Sequence, residues 1–156
     1  MKSKLRVAFV SSENPLDRKT WSGTHFQIFK ALEREFEFVK AITYNNLAYK
    51  ILGGINKITL PIFNKKYNHQ HSFFRAYIQS KGIQRRLKKE KIDIIFCSAG
   101  STEIAFLETD IPIIYLSDSS FGQLAGYYDV MKNVFPFSLN ESNTIELKAL
   151  QKAKHI

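Results

Sequence analysis

A chain of 156 residues, 44% apolar and 24% charged, has the length and composition of one globular domain able to bury a sizeable core, which excludes an intrinsically disordered polypeptide. Its one cysteine, Cys97, has no partner for an internal disulfide, and no charged-then-apolar leader opens the chain, so the expected setting is a reducing cytoplasm. The net charge of +9 asks for an anionic partner or a dedicated face, but no ribonucleoprotein aromatic motif, GXXG clamp or zinc-finger spacing occurs, so no nucleic-acid partner is expected.

Leu5–Val10 (LRVAFV) is a short, nearly continuous apolar run, the pattern of a strand buried on both faces. A polar loop follows, and then Phe26, Phe29, Leu32 and Phe36 recur at three- and four-residue steps, as on one face of an amphipathic helix. Phe36–Tyr44 (FEFVKAITY) reads as a second strand. Strand, helix and strand in that order open a parallel sheet. From Leu47 to Lys66 the sequence is apolar with interspersed lysines, and Gly53, Gly54 and Pro61 interrupt it, which predicts one broken helix or two short ones. A longer helix is expected over Phe73–Lys91, weakened by Gly82. Ile92–Cys97 and Pro112–Leu116 supply two further buried strands, with a short helix between them over Ser101–Glu108. Glu103 falls in the first turn of that helix, where a negative charge is favoured. Ile145, Ala149, Leu150 and Ala153 mark a last helix, with Asn143 as its cap and Glu146 as the reciprocal partner.

This alternation predicts an α/β fold, an open, mostly parallel sheet with helices on both faces and right-handed crossovers. Ligands of such sheets bind beyond the carboxyl ends of the strands, which here are Ser11–Gly23, Ser98–Ser101 and Ser117–Gly122. Ser22-Gly23-Thr24 falls where the first of these loops meets a helix N-terminus. Unpaired backbone N–H groups and the helix dipole favour an anion there, and glycine lets a ligand approach the backbone. The plainer alternative is that Ser22 caps the helix and Gly23 turns the chain. Neither G-x-G-x-x-G nor G-x-x-x-x-G-K-[ST] occurs, which argues against a standard dinucleotide or NTPase site.

Lys81–Lys91 (KGIQRRLKKEK) concentrates positive charge at a helix end, where cations complement the dipole; a solvated helix end accounts for it, and a dedicated anion-binding patch is the alternative. His69 and His71 form an H-x-H pair with no Cys, Asp or Glu cluster nearby, which suits a solvated loop better than a metal site. Cys97 lies in an apolar strand without a basic neighbour to lower its pKa and is expected to be a buried, inert thiol. Asn140-Glu141-Ser142 has the form of a glycosylation acceptor, which a cytoplasmic chain leaves unused. No apolar run approaches the roughly 20 residues of a spanning helix, so contact with a bilayer is expected to be peripheral. No internal repeat or low-complexity tract occurs.

Three stretches taken together, RVAFVSSENPLDRKTWSGTHFQIFKALE, PIIYLSDSSFGQLAGYYDV and ESNTIELKALQKAKHI, resemble the amino-terminal domain of a family 4 glycosyltransferase of the GT-B fold. The resemblance spans essentially the whole chain and is weakest from Asn45 to Lys91. It implies one Rossmann-like domain of a pair facing across a cleft, holding a sugar or lipid-linked acceptor, while a second domain binds most of a nucleotide-sugar donor. It implies further that Gly23 lies near the donor phosphates, that Trp21, Ser22 and Thr24 shape the acceptor side, and that Asp118, between Ser117 and Ser119, orients the acceptor hydroxyl. At the position that Asp118 matches, many relatives place a cleft-facing histidine or aspartate; here the pair reads Ser117-Asp118 rather than histidine-aspartate, and a helix N-cap is the alternative role for Asp118. Phe121 and Tyr127-Tyr128 match an aromatic pattern expected beneath the cleft.

On this resemblance the complete enzyme moves a hexose-like sugar to a hydroxyl with retention, without a cofactor or an essential metal, in cell-envelope or polysaccharide synthesis. The family's donor-site motifs occur nowhere in these residues, and the alternation calls for another strand after the last helix, so the chain is expected to be one half of the enzyme and inactive alone. A reading from another class is a stand-alone α/β binding module, or one docking peripherally on anionic membrane through Leu47–Lys66 and Lys81–Lys91, without catalysis.

Overall fold

The computed structural model describes residues 2–124, 127 and 132–156. Strands β1 (Ser3–Ser11), β2 (Phe36–Thr43), β3 (Ile94–Ser98) and β4 (Ile113–Leu116) form one open, all-parallel sheet in the order β2-β1-β3-β4. Helices α1 (Thr24–Glu35), α2 (Lys50–Gly53), α3 (Asn56–Phe63), α4 (Phe73–Leu87), α5 (Ser101–Ile104), α6 (Phe121–Leu124) and α7 (Pro136–Lys152) occupy the connections. This is the α/β architecture that the alternation of patterns predicts.

The central strand explains its own composition. Along β1, Val7 and Phe9 point to one face and Ala8 and Val10 to the other, and all four are fully buried, so no polar alternation survives. On the first face the Phe9 ring meets Phe29 and His25 of α1, at centroid distances of 5.6 and 5.8 Å. On the second, Ala8, Val10, Ile42, Ile95, Cys97, Ile113 and Tyr115 pack with Ile83 and Leu87 of α4, Ile104 of α5 and Ala149 of α7. Helices therefore cover both faces, and this second cluster is the main core.

Past α7 the chain turns onto the outer edge of β4, where an expected further strand would pair. The Lys154 N–H donates to the Ile113 carbonyl (2.8 Å), and the Tyr115 N–H to that of His155 (2.9 Å).

Several expected boundaries move. α7 begins at Pro136 rather than near Asn143, with proline in the first turn, where its missing N–H costs nothing. The hydroxyls of its polar N-terminal half are accommodated within the helix, Ser142 donating to the Ser138 carbonyl (2.9 Å) and Thr144 to that of Asn140 (2.8 Å). Asn143 and Glu146 thus lie inside the helix and cap nothing on it; Glu146 instead accepts the Phe121 N–H at 3.0 Å, holding the start of α6. The segment from Leu47 is two short helices, broken at Gly54 as expected, whereas Pro61 sits inside α3. That helix is exposed, so the carbonyl left unpaired by proline faces water.

Candidate functional site

The β1–β2 crossover carries α1 on one face and the β2–β3 crossover carries α4 on the other, so strand order reverses between β1 and β3. A crevice opens at such a switch point, beyond the carboxyl ends of the strands. All three loops read from the sequence, Ser11–Gly23, Ser98–Ser101 and Ser117–Gly122, stand at that end.

The first loop is tied down by its own side chains. Asn14 Oδ1 accepts the Leu16 N–H (3.0 Å), Asp17 Oδ1 accepts the Lys19 N–H (2.9 Å), and the Thr20 hydroxyl donates to the Asn14 carbonyl (3.2 Å). Beside it lies a polar hollow of about 340 Å³ lined by Ser12, Glu13, Asn14 and Thr43 among others. Three consecutive left-handed residues then lead into α1: Trp21 (φ 45°), Ser22 (φ 53°) and Gly23 (φ 84°). For the two non-glycines this costs on the order of 1 kcal/mol each. Ser22 does not cap the helix. The cap position is Gly23, with no side-chain bond, and the Thr24 N–H at the start of α1 donates to the Trp21 carbonyl. A Cβ at Gly23 would also approach the Arg18 carbonyl oxygen to 3.3 Å.

His25, in the first turn of α1, escaped the sequence reading. Its ring is buried, with the Phe9 edge on one side and Trp21 at 4.9 Å on the other, and neither ring nitrogen makes a hydrogen bond of good geometry, the Ser98 backbone being its nearest polar neighbour. Burial holds its pKa below the ordinary histidine range, against the opposing pull of the Glu13 carboxylate and the Ser98 backbone. Ser98, at the end of β3, likewise has a buried hydroxyl without a partner. The only available signal was a polar side chain directly after Ser-Gly-Thr on an otherwise apolar helix face.

At the end of β3, Ala99 takes φ 49°, and Gly100 packs so tightly that a Cβ would lie 2.7 Å from Cys97 Sγ. The Cys97 thiol is fully buried, and burial together with Glu103 pushes its pKa up, in keeping with an inert thiol. Glu103 is not the solvated first-turn acid that its position suggests: it is 1% exposed, and burial raises its pKa. Its carboxylate accepts from the Thr102 hydroxyl (2.8 Å) and pairs with Arg75 of α4 at 3.6 Å.

On the third loop Asp118 is exposed and contacted by the Ser119 hydroxyl at 3.4 Å, while the Ser117 hydroxyl donates to the Ser119 carbonyl (2.8 Å). Asp118 does not cap α6. Ser120 and Gln123 do so reciprocally, the Gln123 N–H reaching Ser120 Oγ (3.4 Å) and the Ser120 N–H reaching Gln123 Oε1 (3.1 Å). Phe121 is buried against the His71 ring, centroids 5.0 Å apart. Tyr127, by contrast, is 76% exposed, not packed beneath a cleft, and Tyr128 lies outside the described residues.

The histidine pair is packed rather than solvated. His69 stacks on Tyr49 (5.9 Å) and fills the space over Gly53, while His71 Nε2 lies 3.1 Å from Ser101 Oγ. Burial lowers the pKa of both, that of His71 to about 4. The Asn140 triplet lies within α7, with Ser142 buried and bonded to Ser138 and to the His71 carbonyl. Among the described residues no group of three or more His, Cys, Asp or Glu is arranged to hold a metal, and no helix is long and apolar enough to cross a membrane.

Trp21, Ser22, Gly23 and Thr24 therefore form one lip of the crevice on β1, and Ser117, Asp118 and Ser119 another on β4. Two strand spacings separate the lips, roughly 10 Å, and no hydrogen bond or ring contact joins them among the described residues. No protein family, curated protein or solved structure was found to match the chain. These strand ends bring together a helix N-terminus without a side-chain cap, the buried His25 and Ser98, and the exposed Asp118 carboxylate.

Proposed function

We propose that this chain is the acceptor-binding half of a retaining glycosyltransferase of the GT-B type, taking a hydroxyl-bearing acceptor and contributing to a nucleotide-sugar site completed by a second domain. The observation that carries this reading is the pair of buried polar groups at the switch point, His25 of α1 and Ser98 of β3, whose side chains lack good hydrogen bonds, with the exposed Asp118 carboxylate on the neighbouring strand end. Buried polar atoms without partners are costly, and acceptor hydroxyls would satisfy them. Transfer requires stabilisation of a departing diphosphate and of oxocarbenium-like charge on the sugar. The positive end of α1, which begins at Gly23 without a side-chain cap, suits the first demand, and Asp118 would orient the acceptor hydroxyl.

Calorimetric titration with nucleotides, nucleotide sugars and candidate acceptors is the test. Acceptor binding without nucleotide binding is expected, weakened about tenfold by Asp118→Ala or Gly23→Val, as for loss of a charge-assisted contact. Tight nucleotide binding by these residues alone would contradict the assignment, and turnover of a nucleotide sugar would overturn the claim that they are only one half.

A second reading, peripheral docking on anionic membrane, is favoured by the exposure of α2 and α3. Ile51, Ile58 and Ile62 are 79, 64 and 65% exposed on a segment that carries Lys50, Lys57 and Lys65 and no acid. Beside it an apolar groove of about 680 Å³ runs between Leu52, Ile55, Phe73, Phe135 and Phe137. Apolar side chains among cations are what an anionic bilayer surface retains. Co-sedimentation with phosphatidylglycerol vesicles should fall sharply in a Lys57→Glu/Lys65→Glu variant and in Ile58→Ser/Ile62→Ser; unchanged binding in both would remove the idea.

A further inference from the structure

Glycine is disfavoured in a helix interior, yet α4 carries Gly82 there, fully surrounded. The reason is Tyr44, which follows β2: a Cβ on Gly82 would overlap its ring. Arg86 holds the ring in place, its guanidinium 5.5 Å from the centroid and donating to the Thr43 carbonyl. The close approach shapes a hollow of about 420 Å³ between Tyr44 and Asn46 on one side and Tyr77, Lys81, Arg85 and Lys88 of the α4 stretch on the other.

No carboxylate lines this hollow. Lys81 is partly neutralised at its rim by Glu108 (2.8 Å), but Arg85 and Lys88 make no ion pair among the described residues. The wider surroundings reinforce them. From Asn45 to Lys89 the sequence contains ten lysines and arginines and no aspartate or glutamate, whereas the other 111 residues carry thirteen cations and fourteen acids. The protein's net positive charge is thus placed on the segment that builds the hollow, where unlike-charged ligands gain most.

We propose that the hollow binds a phosphate-bearing anion, with Arg85 and Lys88 supplying the charge, Asn46 and Tyr77 the neutral hydrogen bonds, and Tyr44 the rigid wall. The guanidinium fork of Arg85 matches two phosphate oxygens, and the volume suits a diphosphate or a small sugar phosphate. The hollow is separate from the crevice: neither Gly23 nor Asp118 lines it, so it stands whether or not the transferase reading does.

Titration with inorganic pyrophosphate and co-sedimentation with phosphatidylglycerol vesicles, each on the unmodified chain and on Arg85→Gln/Lys88→Gln, separate a free phosphate from a lipid headgroup. Both side chains are exposed, so the variant keeps its core. Saturable pyrophosphate binding that weakens at least about tenfold in the variant supports a soluble phosphate ligand, since each lost charge-assisted contact is of that order. Silence toward pyrophosphate with vesicle binding lost in the variant supports a headgroup. No binding in either arm, or binding unaffected by the double substitution, overturns the proposal.

Discussion

Replacing Arg75 by alanine should destabilise the protein by about 3 kcal/mol at pH 8, the order expected when a buried charge loses its partner. Glu103 has almost no access to solvent; the Thr102 hydroxyl serves one carboxylate oxygen, and Arg75 approaches the other at 3.6 Å. Burial raises the Glu103 pKa and Arg75 draws it back, so removing Arg75 lets it climb further. The sign of the pH dependence follows. An acid with a raised native pKa binds its proton more tightly folded than unfolded, so its cost is absent below the ordinary value near 4.5 and grows as the pH rises toward the native pKa. Urea unfolding at pH 5 and pH 8 should therefore show a larger deficit for Arg75→Ala at pH 8, and adding Glu103→Gln should recover part of it. An equal deficit at both pH values would mean that Arg75 acts through packing over Tyr49, 4.9 Å from its guanidinium, rather than through charge.

The second large effect is acid sensitivity centred on His71. Its ring is enclosed by groups from four elements: Ser101 of α5 at Nε2, Phe121 of α6 across its face, Arg75 of α4 as the nearby cation, and Ser142 of α7 on its backbone carbonyl. Burial, then Arg75, lowers its pKa to about 4. A histidine lowered in the native state stays neutral while the unfolded chain takes up a proton, so stability falls as the pH drops from 6.5 to about 4. The loss approaches roughly 3 kcal/mol for a gap of this size. His25 and His69, lowered by burial, act in the same direction; Glu103 and Glu146, raised by burial, oppose them above pH 4.5. His71→Gln keeps a polar atom for Ser101 and should flatten the decline of Tm between pH 6.5 and 4.5. An unchanged slope would shift the acid response to the other histidines.

Much of the architecture was legible in local patterns. β1 was readable because a strand buried on both faces needs no polar alternation, and α1 because apolar residues recur every three or four positions, although the last of that stripe, Phe36, begins β2; β4, read as fully buried, keeps Ile114 half-buried and Leu116 exposed. The break at Gly54 followed from the low helix propensity of two adjacent glycines, although Gly54 itself keeps right-handed helical angles. The start of α7 did not follow: Ser138, Ser142 and Thr144 read as loop formers until their hydroxyls are seen bonded along the helix or into neighbouring segments. The candidate crevice was legible as a set of strand ends, but not its contents. Whether Ser22 or Gly23 caps α1, and whether Asp118 or Ser120 caps α6, depends on a few backbone angles that spacing does not specify.

The sequence by itself determined the order of strands and helices, hence a parallel α/β sheet and the end of it at which ligands gather, because periodicity and turn chemistry are written among chain neighbours. Only the tertiary structure decided which polar residues are buried. It turned Glu103 from a helix-end acid into a buried partner of Arg75, took His71 out of solvent, left His25 without a good hydrogen bond, and set Tyr44 against Gly82 to wall a basic hollow. Each of those outcomes depends on what a distant element brings within a few ångströms, which sets both the desolvation of a group and the partners that compensate it.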